Sequence, residues 1–432
     1  MSLAIARHSQ LPIFHSFVIM TTTISRLLAF VTSGDVAGVA RVLSSAADAA
    51  RMELLTTRNS DGHAPLHVAI KSQQLPILLE LQRFGAALDL PTAAGHSPVA
   101  VASSVGALDV LRYLCEHGAR VDVPPTGVTP LYVAALGGHR AVVEFLLQQG
   151  ASVDAEGPQG YRPLTIAAFK DADAVVEALL AHGADPTIRT ATGSTALNTA
   201  AIGGSLSVVT RLLQRDDVDV NVRDDQGLTA LYVAAQGGYA DVVAALLAHQ
   251  SVEIDAKTEQ GATPLSIAAS GGHADVVELL LTHGADVDCQ TNATLRTPLH
   301  FASEAGALAV VRSLVERGHA NVNATTKQHN TPVFLAATEG HLEVAQYLLQ
   351  QGASVEIELP EDDSDGRWQP ASTAATHCAE RGCLWRTRRS RRIPDAVAAK
   401  LARRRRCAAA AGRQFARSRR RRASAAAARR RR

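Results

Sequence analysis

One phrase recurs along this chain every 32 to 34 residues, and no other feature narrows its fold as far. A marker of the type Thr-Pro-Leu begins at Ala64, Ser97, Thr129, Arg162, Thr195, Thr229, Thr263, Thr297 and Thr331, at spacings of 33, 32, 33, 33, 34, 34, 34 and 34. An earlier, weaker copy, SRLLAFVTSGDVAGVARVL, has Ser25 at the marker and extra residues before Ala64. Ten copies therefore occupy 25–359. A unit of this length cannot bury its own apolar face, so neighbours must stack into one continuous core.

The copy from Thr129 shows what each unit builds. Thr129 suits a helix N-cap and Pro130 the first helical residue, which has no N–H to lose. LYVAAL then makes about two turns and stops at Gly137–Gly138. In HRAVVEFLLQQG, Val142, Val143, Leu146 and Leu147 share one helical face, and the helix ends at Gly150. ASVDAEGPQG reads as a protruding hairpin-like loop. Thr263, Pro264, His273 and Gly284 repeat the roles of Thr129, Pro130, His139 and Gly150. Small Ala134 and Ala135 on the first helix let the next unit approach closely.

These residues resemble the ankyrin repeat family, whose pattern runs Thr-Pro-Leu-His, Ala-Ala, Gly-His, Val-Val, Leu-Leu, Gly-Ala-Asp-Val-Asn. TPLYVAALGGHRAVVEFLLQQGASVD (129–154) and TPLSIAASGGHADVVELLLTHGADVD (263–288) are the fullest matches. The resemblance implies an all-α solenoid of helix–turn–helix units with protruding hairpin loops. Several departures carry expectations. The Gly two before the marker becomes Leu295 and His329 in the last two copies, so those loops should be strained or reshaped. FKDADA (169–174) lacks the Gly stop, so its inter-helix turn should differ. Pro124–Pro125 should stiffen the second copy's loop, and the end unit at Ser25–Leu43 should fray. Asn221 and Asn323, at the family's Asp-Val-Asn position, read as loop caps.

The mean charge of +2 hides a division: residues 1–360 hold 21 Lys/Arg against 35 Asp/Glu, and residues 361–432 hold 22 against 6. An acidic body and a basic tail are separate objects. Residues 1–24 are expected to be an irregular leader, 25–359 the array, and 360–432 a disordered Arg/Ala-rich tail. The five cysteines suggest no disulfide framework, which favours a reducing cytoplasmic or nuclear compartment. No apolar run reaches the roughly 18 residues of a membrane helix.

Catalytic chemistry is not expected. Histidines fall at fixed places in the repeat: His139, His273 and His341 after the inter-helix Gly, His117, His182, His249 and His283 at the end of the second helix, and His67 and His300 in the Thr-Pro-Leu-His slot. A side chain recurring once per repeat serves the repeat. Asp216, Asp217, Asp219, Asp224 and Asp225 form an acidic run without calcium-loop spacing, read as a solvated tip. His377, Cys378 and Cys383 lie close together but lack a fourth zinc ligand. No phosphate loop or nucleophile elbow is present, and no cofactor or metal is expected.

The resemblance implies partner recognition on the concave face and loop tips. Carried onto this chain, the exposed end of the first helix is Lys71, Ser104, Leu136, Phe169, Ile202, Gln236, Ser270, Glu304 and Thr338, and the tips include Glu156, Asp225 and Glu259. Leu136, Phe169 and Ile202 are apolar on consecutive copies, which marks an interaction site unless the next loop covers them. The reading is a non-catalytic protein-interaction scaffold or adaptor. The alternative is a nuclear, nucleic-acid-associated protein anchored by its Arg-rich tail, through nonspecific phosphate contacts.

Overall fold

The computed structural model describes residues 11–121, 128–354, 356–357 and 391–392, with side chains described over 22–121 and 128–354. The chain divides into two compact units, Met1–Asp225 and Gln226–Arg432. Unit 1 holds α1 (Leu11–Ser33), α2 (Val36–Ser45), α3 (Asp48–Thr56), α4 (Pro65–Lys71), α5 (Leu75–Arg83), α6 (Pro98–Ser104), α7 (Leu108–Glu116), α8 (Pro130–Leu136), α9 (Arg140–Gln148), α10 (Pro163–Phe169), α11 (Asp173–Ala181), α12 (Ala196–Gly203) and α13 (Leu206–Leu213). Unit 2 holds α14 (Ala230–Gly237), α15 (Ala240–Leu247), α16 (Pro264–Gly271), α17 (Ala274–Thr282), α18 (Pro298–Ala305), α19 (Leu308–Glu316), α20 (Pro332–Thr338) and α21 (Leu342–Gln350). Its last element is a two-residue pairing, β1 (Glu356–Ile357) antiparallel to β2 (Arg391–Arg392).

Each helix pair is one repeat. Thr129 Oγ accepts the Tyr132 N–H at 3.2 Å, and Thr229 and Thr263 do the same for Tyr232 and Ser266. The first helix stops where Gly138 takes φ +71°, with its N–H on Ala135 O at 3.1 Å and the His139 N–H on Ala134 O at 3.0 Å. Within unit 1, α8, α10 and α12 lie side by side, as do α14, α16, α18 and α20 in unit 2. Ala134–Ala135, Ala167–Ala168 and Ala200–Ala201 are fully buried between them. The approach is close: a Cβ on Gly203 would stand 2.5 Å from the Phe169 carbonyl oxygen. Val142, Val143 and Leu146 close the core from the second helix, and Val276, Val277 and Leu280 do so in unit 2, while Leu147 is only half-buried.

Two expectations meet the structure differently, and one stretch without an expectation gains a helix. Residues 11–24, read as an irregular leader, belong to the long helix α1. The extra residues before Ala64 form a further helix, α3, held where Arg51 Nε donates to Leu43 O at 2.9 Å. The turn after Phe169 keeps the shape of its neighbours, because Asp171 takes φ +56° in place of the glycine and the Ala172 N–H reaches Ala167 O at 3.0 Å. Asp tolerates the left-handed region better than most residues, which is why the turn survives. Pro124–Pro125 and all of the Arg/Ala-rich tail except the short Arg391–Arg392 pairing lie outside the described residues.

Leu295 and His329 also keep the left-handed backbone, at φ +55° and +59°. In other copies this position is crowded: a Cβ on Gly261 would meet Asn292 Oδ1 at 2.5 Å, and one on Gly160 the Ala191 nitrogen at 2.6 Å. The loop around Leu295 is one residue longer, with its N–H on Thr291 O rather than on the oxygen three residues back. His329 keeps the bond of the shorter loops, its N–H on Thr326 O at 2.8 Å.

Candidate functional site

The recurring histidines are bonded into the frame. His67 is fully buried; its Nδ1 accepts the Ala64 N–H at 3.1 Å and its Nε2 meets Leu90 O at 2.8 Å in the next loop. His300 repeats this in unit 2, with Nδ1 on the Thr297 N–H at 3.1 Å and Nε2 on Asn330 O at 3.1 Å. That pattern calls for the neutral ring protonated at Nε2. Burial pushes both imidazoles from 6.5 down to about 4, against the opposing pull of the carbonyls they contact.

A second set seats three of the repeats on the ones before them. His139 Nε2 donates to Ser104 O at 3.2 Å, His273 to Gln236 O at 3.1 Å and His341 to Glu304 O at 2.9 Å. These rings lie over the preceding repeat's glycine, so a Cβ on Gly106, Gly238 or Gly306 would come within 2.7, 2.5 or 2.5 Å of the ring. His117, His182 and His283 each place Nδ1 2.8 Å from the carbonyl four residues back, at the end of the second helix. Gly150 and Gly284 end that helix at φ +83° and +87°.

Two sets of loop residues escaped the sequence reading. Thr92, Thr190, Thr258 and Thr326 are buried, and each hydroxyl accepts the N–H four residues on, pinning the loop. Their signal was a Thr three before the loop glycine or its substitute. The carboxylates of Asp255 and Asp288 receive the N–H of Asp286 and Asn321 from the following repeat, at 3.1 and 3.2 Å, and the Asn323 amide oxygen takes that of Ser354 at 2.7 Å. Burial raises the Asp255 carboxyl above its ordinary value.

With the frame accounted for, the surface stands out by contrast. Leu136, Phe169 and Ile202 lie in the last turns of α8, α10 and α12 on neighbouring repeats and remain 39%, 37% and 40% exposed, so no loop covers them. The Lys170 ammonium stands 5.5 Å from the centre of the Phe169 ring. At the tips of this unit, Glu156 is exposed with its carboxylate 3.1 Å from Arg162, and Asp225 is exposed 3.9 Å from Arg189. Gln236, Glu259 and Glu304 belong to unit 2: the first two are exposed, whereas Glu304 is half-buried and held by Arg296. The acidic run is partly satisfied from within, since Arg215 grips Asp217 at 2.8 and 2.6 Å and holds that carboxyl below its usual range. Asp219 accepts the Asn221 N–H at 2.9 Å.

Among the described residues, no group of three or more His, Cys, Asp or Glu is placed to hold a metal ion, and no helix is long and apolar enough to cross a membrane. His377, Cys378 and Cys383 lie outside the described residues. No curated relative matches the chain. Among solved structures it is similar to the ankyrin repeat domain of Bcl-3, described as a unique member of the IkappaB protein family. The two are 31% identical over 50% of this chain and 98% of that one, with a TM-score of 0.44. The family model described as ankyrin repeats, in three copies, matches residues 29–125, 66–156, 122–190, 164–258, 197–291, 250–326 and 288–359. A cap, a Gly stop and a seated histidine recur along the same span that the family model covers, and the chain belongs to the ankyrin repeat family.

Proposed function

We propose that this chain is a non-catalytic scaffold that binds a protein partner through the exposed ends of its first helices and its loop tips, with Leu136, Phe169 and Ile202 as the apolar anchors. The carrying observation is that these three side chains are neighbours, apolar and more than a third exposed, at a position whose identity the frame does not dictate. Buried anchors of this kind supply most of the energy of a protein interface. Glu156 and Asp225 sit at the tips of the same unit and set its charge, while Gln236, Glu259 and Glu304 are the corresponding candidates in unit 2.

The test is capture of a partner by full-length chain, comparing wild type with a Phe169→Asp/Ile202→Asp variant, after nuclease treatment and with a high-salt wash. Capture that survives salt and is lost in the variant supports the reading. Capture that nuclease or salt removes and the variant retains assigns the binding to the Arg-rich tail instead.

A further inference from the structure

We propose that residues 369–392 are an eleventh, abbreviated copy of the unit, and that its first helix docks on the outer side of α20 and α21. The argument begins with burial at the end of the array. Leu349 in α21 holds the place of Leu281 in α17, counted from the markers at Thr331 and Thr263. Leu281 faces the repeat that follows it, since a Cβ on Gly318 would lie 3.1 Å from its Cδ2. Leu281 and its counterparts Leu147 and Val315 are half-buried with a repeat beside them. Leu349 is only 7% exposed, and Ala337 on α20 only 6%, although among the described residues no helix follows α21. An end repeat with nothing against it exposes this side; here it is as buried as in an interior repeat.

The path of the chain names the occupant. β2 pairs with β1, Ile357 opposite Arg391 and Glu356 opposite Arg392. The chain therefore leaves the last repeat at Ile357 and is back beside it at Arg391, with 33 residues between, the length of one unit. A segment tethered at both ends next to an apolar surface holds a high local concentration there, which a separate partner does not.

The sequence of that segment repeats the marks of a first helix. Gln369 and Pro370 stand as Thr263 and Pro264 do, and Ala374–Ala375 follow at the fifth and sixth places, as Ala268–Ala269 do. Pro suits the first helical position, and the small alanines let a neighbouring helix approach closely. Gln369 departs from Thr no further than Ala64 or Arg162. The marker comes 38 residues after Thr331 rather than 34, and the acidic run EDDSD (361–365) lies ahead of it, where a loop accepts extra residues. The second helix is where the copy departs: Gly382–Cys383 and Arg386–Thr387 take the places of Val276–Val277 and Leu280–Leu281. A terminal unit has one side to bury and turns a polar one to solvent, so it does not need both apolar pairs. The basic stretch beyond Arg392 then starts from a fixed point on unit 2. None of this rests on the strip at Leu136, Phe169 and Ile202.

The test is hydrogen–deuterium exchange of the full chain, read peptide by peptide, for wild type, Ala374→Glu/Ala375→Glu and the control Ala409→Glu/Ala410→Glu. In wild type and control, the amides of 372–377 should exchange about 100-fold more slowly than those of 418–428, because an isolated helix of this length gives no lasting protection. Ala374→Glu/Ala375→Glu should abolish that protection and speed exchange in α20 while α14 stays as it was. These changes lie outside the ten repeats, so the array remains folded to report them. Exchange at 372–377 as fast as at 418–428 overturns the proposal. So does protection that Ala374→Glu/Ala375→Glu leaves intact, or protection that fades on dilution, which assigns the surface to a second copy of the chain.

Discussion

The two units share their interior and differ on their surface. His67 in unit 1 and His300 in unit 2 make the same pair of bonds and sit at the same depressed pKa of about 4. Leu131 and Leu265 fill the same core position, both essentially without exposure. At the exposed end of the first helix the likeness ends. Unit 1 presents Lys71 and Ser104 and then the apolar run Leu136, Phe169 and Ile202, whereas unit 2 presents only polar residues there, Gln236, Ser270, Glu304 and Thr338. Stacking constrains what faces a neighbour and leaves the outer position open, so the outer position is where the units can acquire different tasks.

The sharpest way to break this comparison is to cut the shared core. Leu131→Ala and Leu265→Ala should each cost about 3–5 kcal/mol by denaturant unfolding. Similar losses support one frame in both units, and a loss confined to one unit would show that their cores are not equivalent. Acid provides the next test. The folded protein keeps His67 and His300 neutral down to about pH 4, while the unfolded chain takes up protons below its ordinary 6.5. Their contribution is complete above pH 6.5 and falls by about 1.4 kcal/mol per pH unit per histidine as pH drops towards 4. His67→Gln and His300→Gln should each flatten the pH dependence of stability by the same amount.

Smaller changes sharpen the picture of the loops. Thr129→Ala and Thr263→Ala should each cost about 1 kcal/mol, read as a lowered urea midpoint, because both hydroxyls cap a helix. Leu295→Gly should stabilise by about 0.5 kcal/mol, since relief of the left-handed strain outweighs the added freedom of the unfolded chain. No gain in Tm would mean that the longer loop has already removed the strain.

Period, caps and core positions were legible from sequence because each depends on neighbours within one repeat. Thr129, Pro130 and Gly150 declare their roles through residue type alone. What was not legible depended on tolerance or on contacts between repeats. FKDADA promised a different turn, yet Asp171 accepts the glycine's backbone region without altering the bonds around it. The leader concealed a helix because its apolar residues make sense only once Leu27 and Val31 are seen to be buried. The loop threonines had a signal only in their place three before the loop glycine, which gains meaning once the hydroxyl is seen to hold the N–H four residues on. Exposure of Leu136, Phe169 and Ile202 could not be decided in advance, because it turned on whether the next loop reached them.

The histidine seats give the array a grammar of succession. Gly238 must accept the ring of His273, but a Cβ at the equivalent Gly138 or Gly272 would meet only the methyl group of Ala172 or Ala307, at 3.9 and 3.5 Å. Repeats are therefore not interchangeable beads: each carries a requirement on its predecessor that its own residues do not reveal. Deleting 263–296 would bring Ala307 over Gly238 and leave a gap where an imidazole had been. A duplication that copied His273 behind a repeat lacking glycine there would fail to close. The order in which such a chain can grow, shrink or be recombined is thus restricted by the junctions between copies, even where every copy is sound by itself.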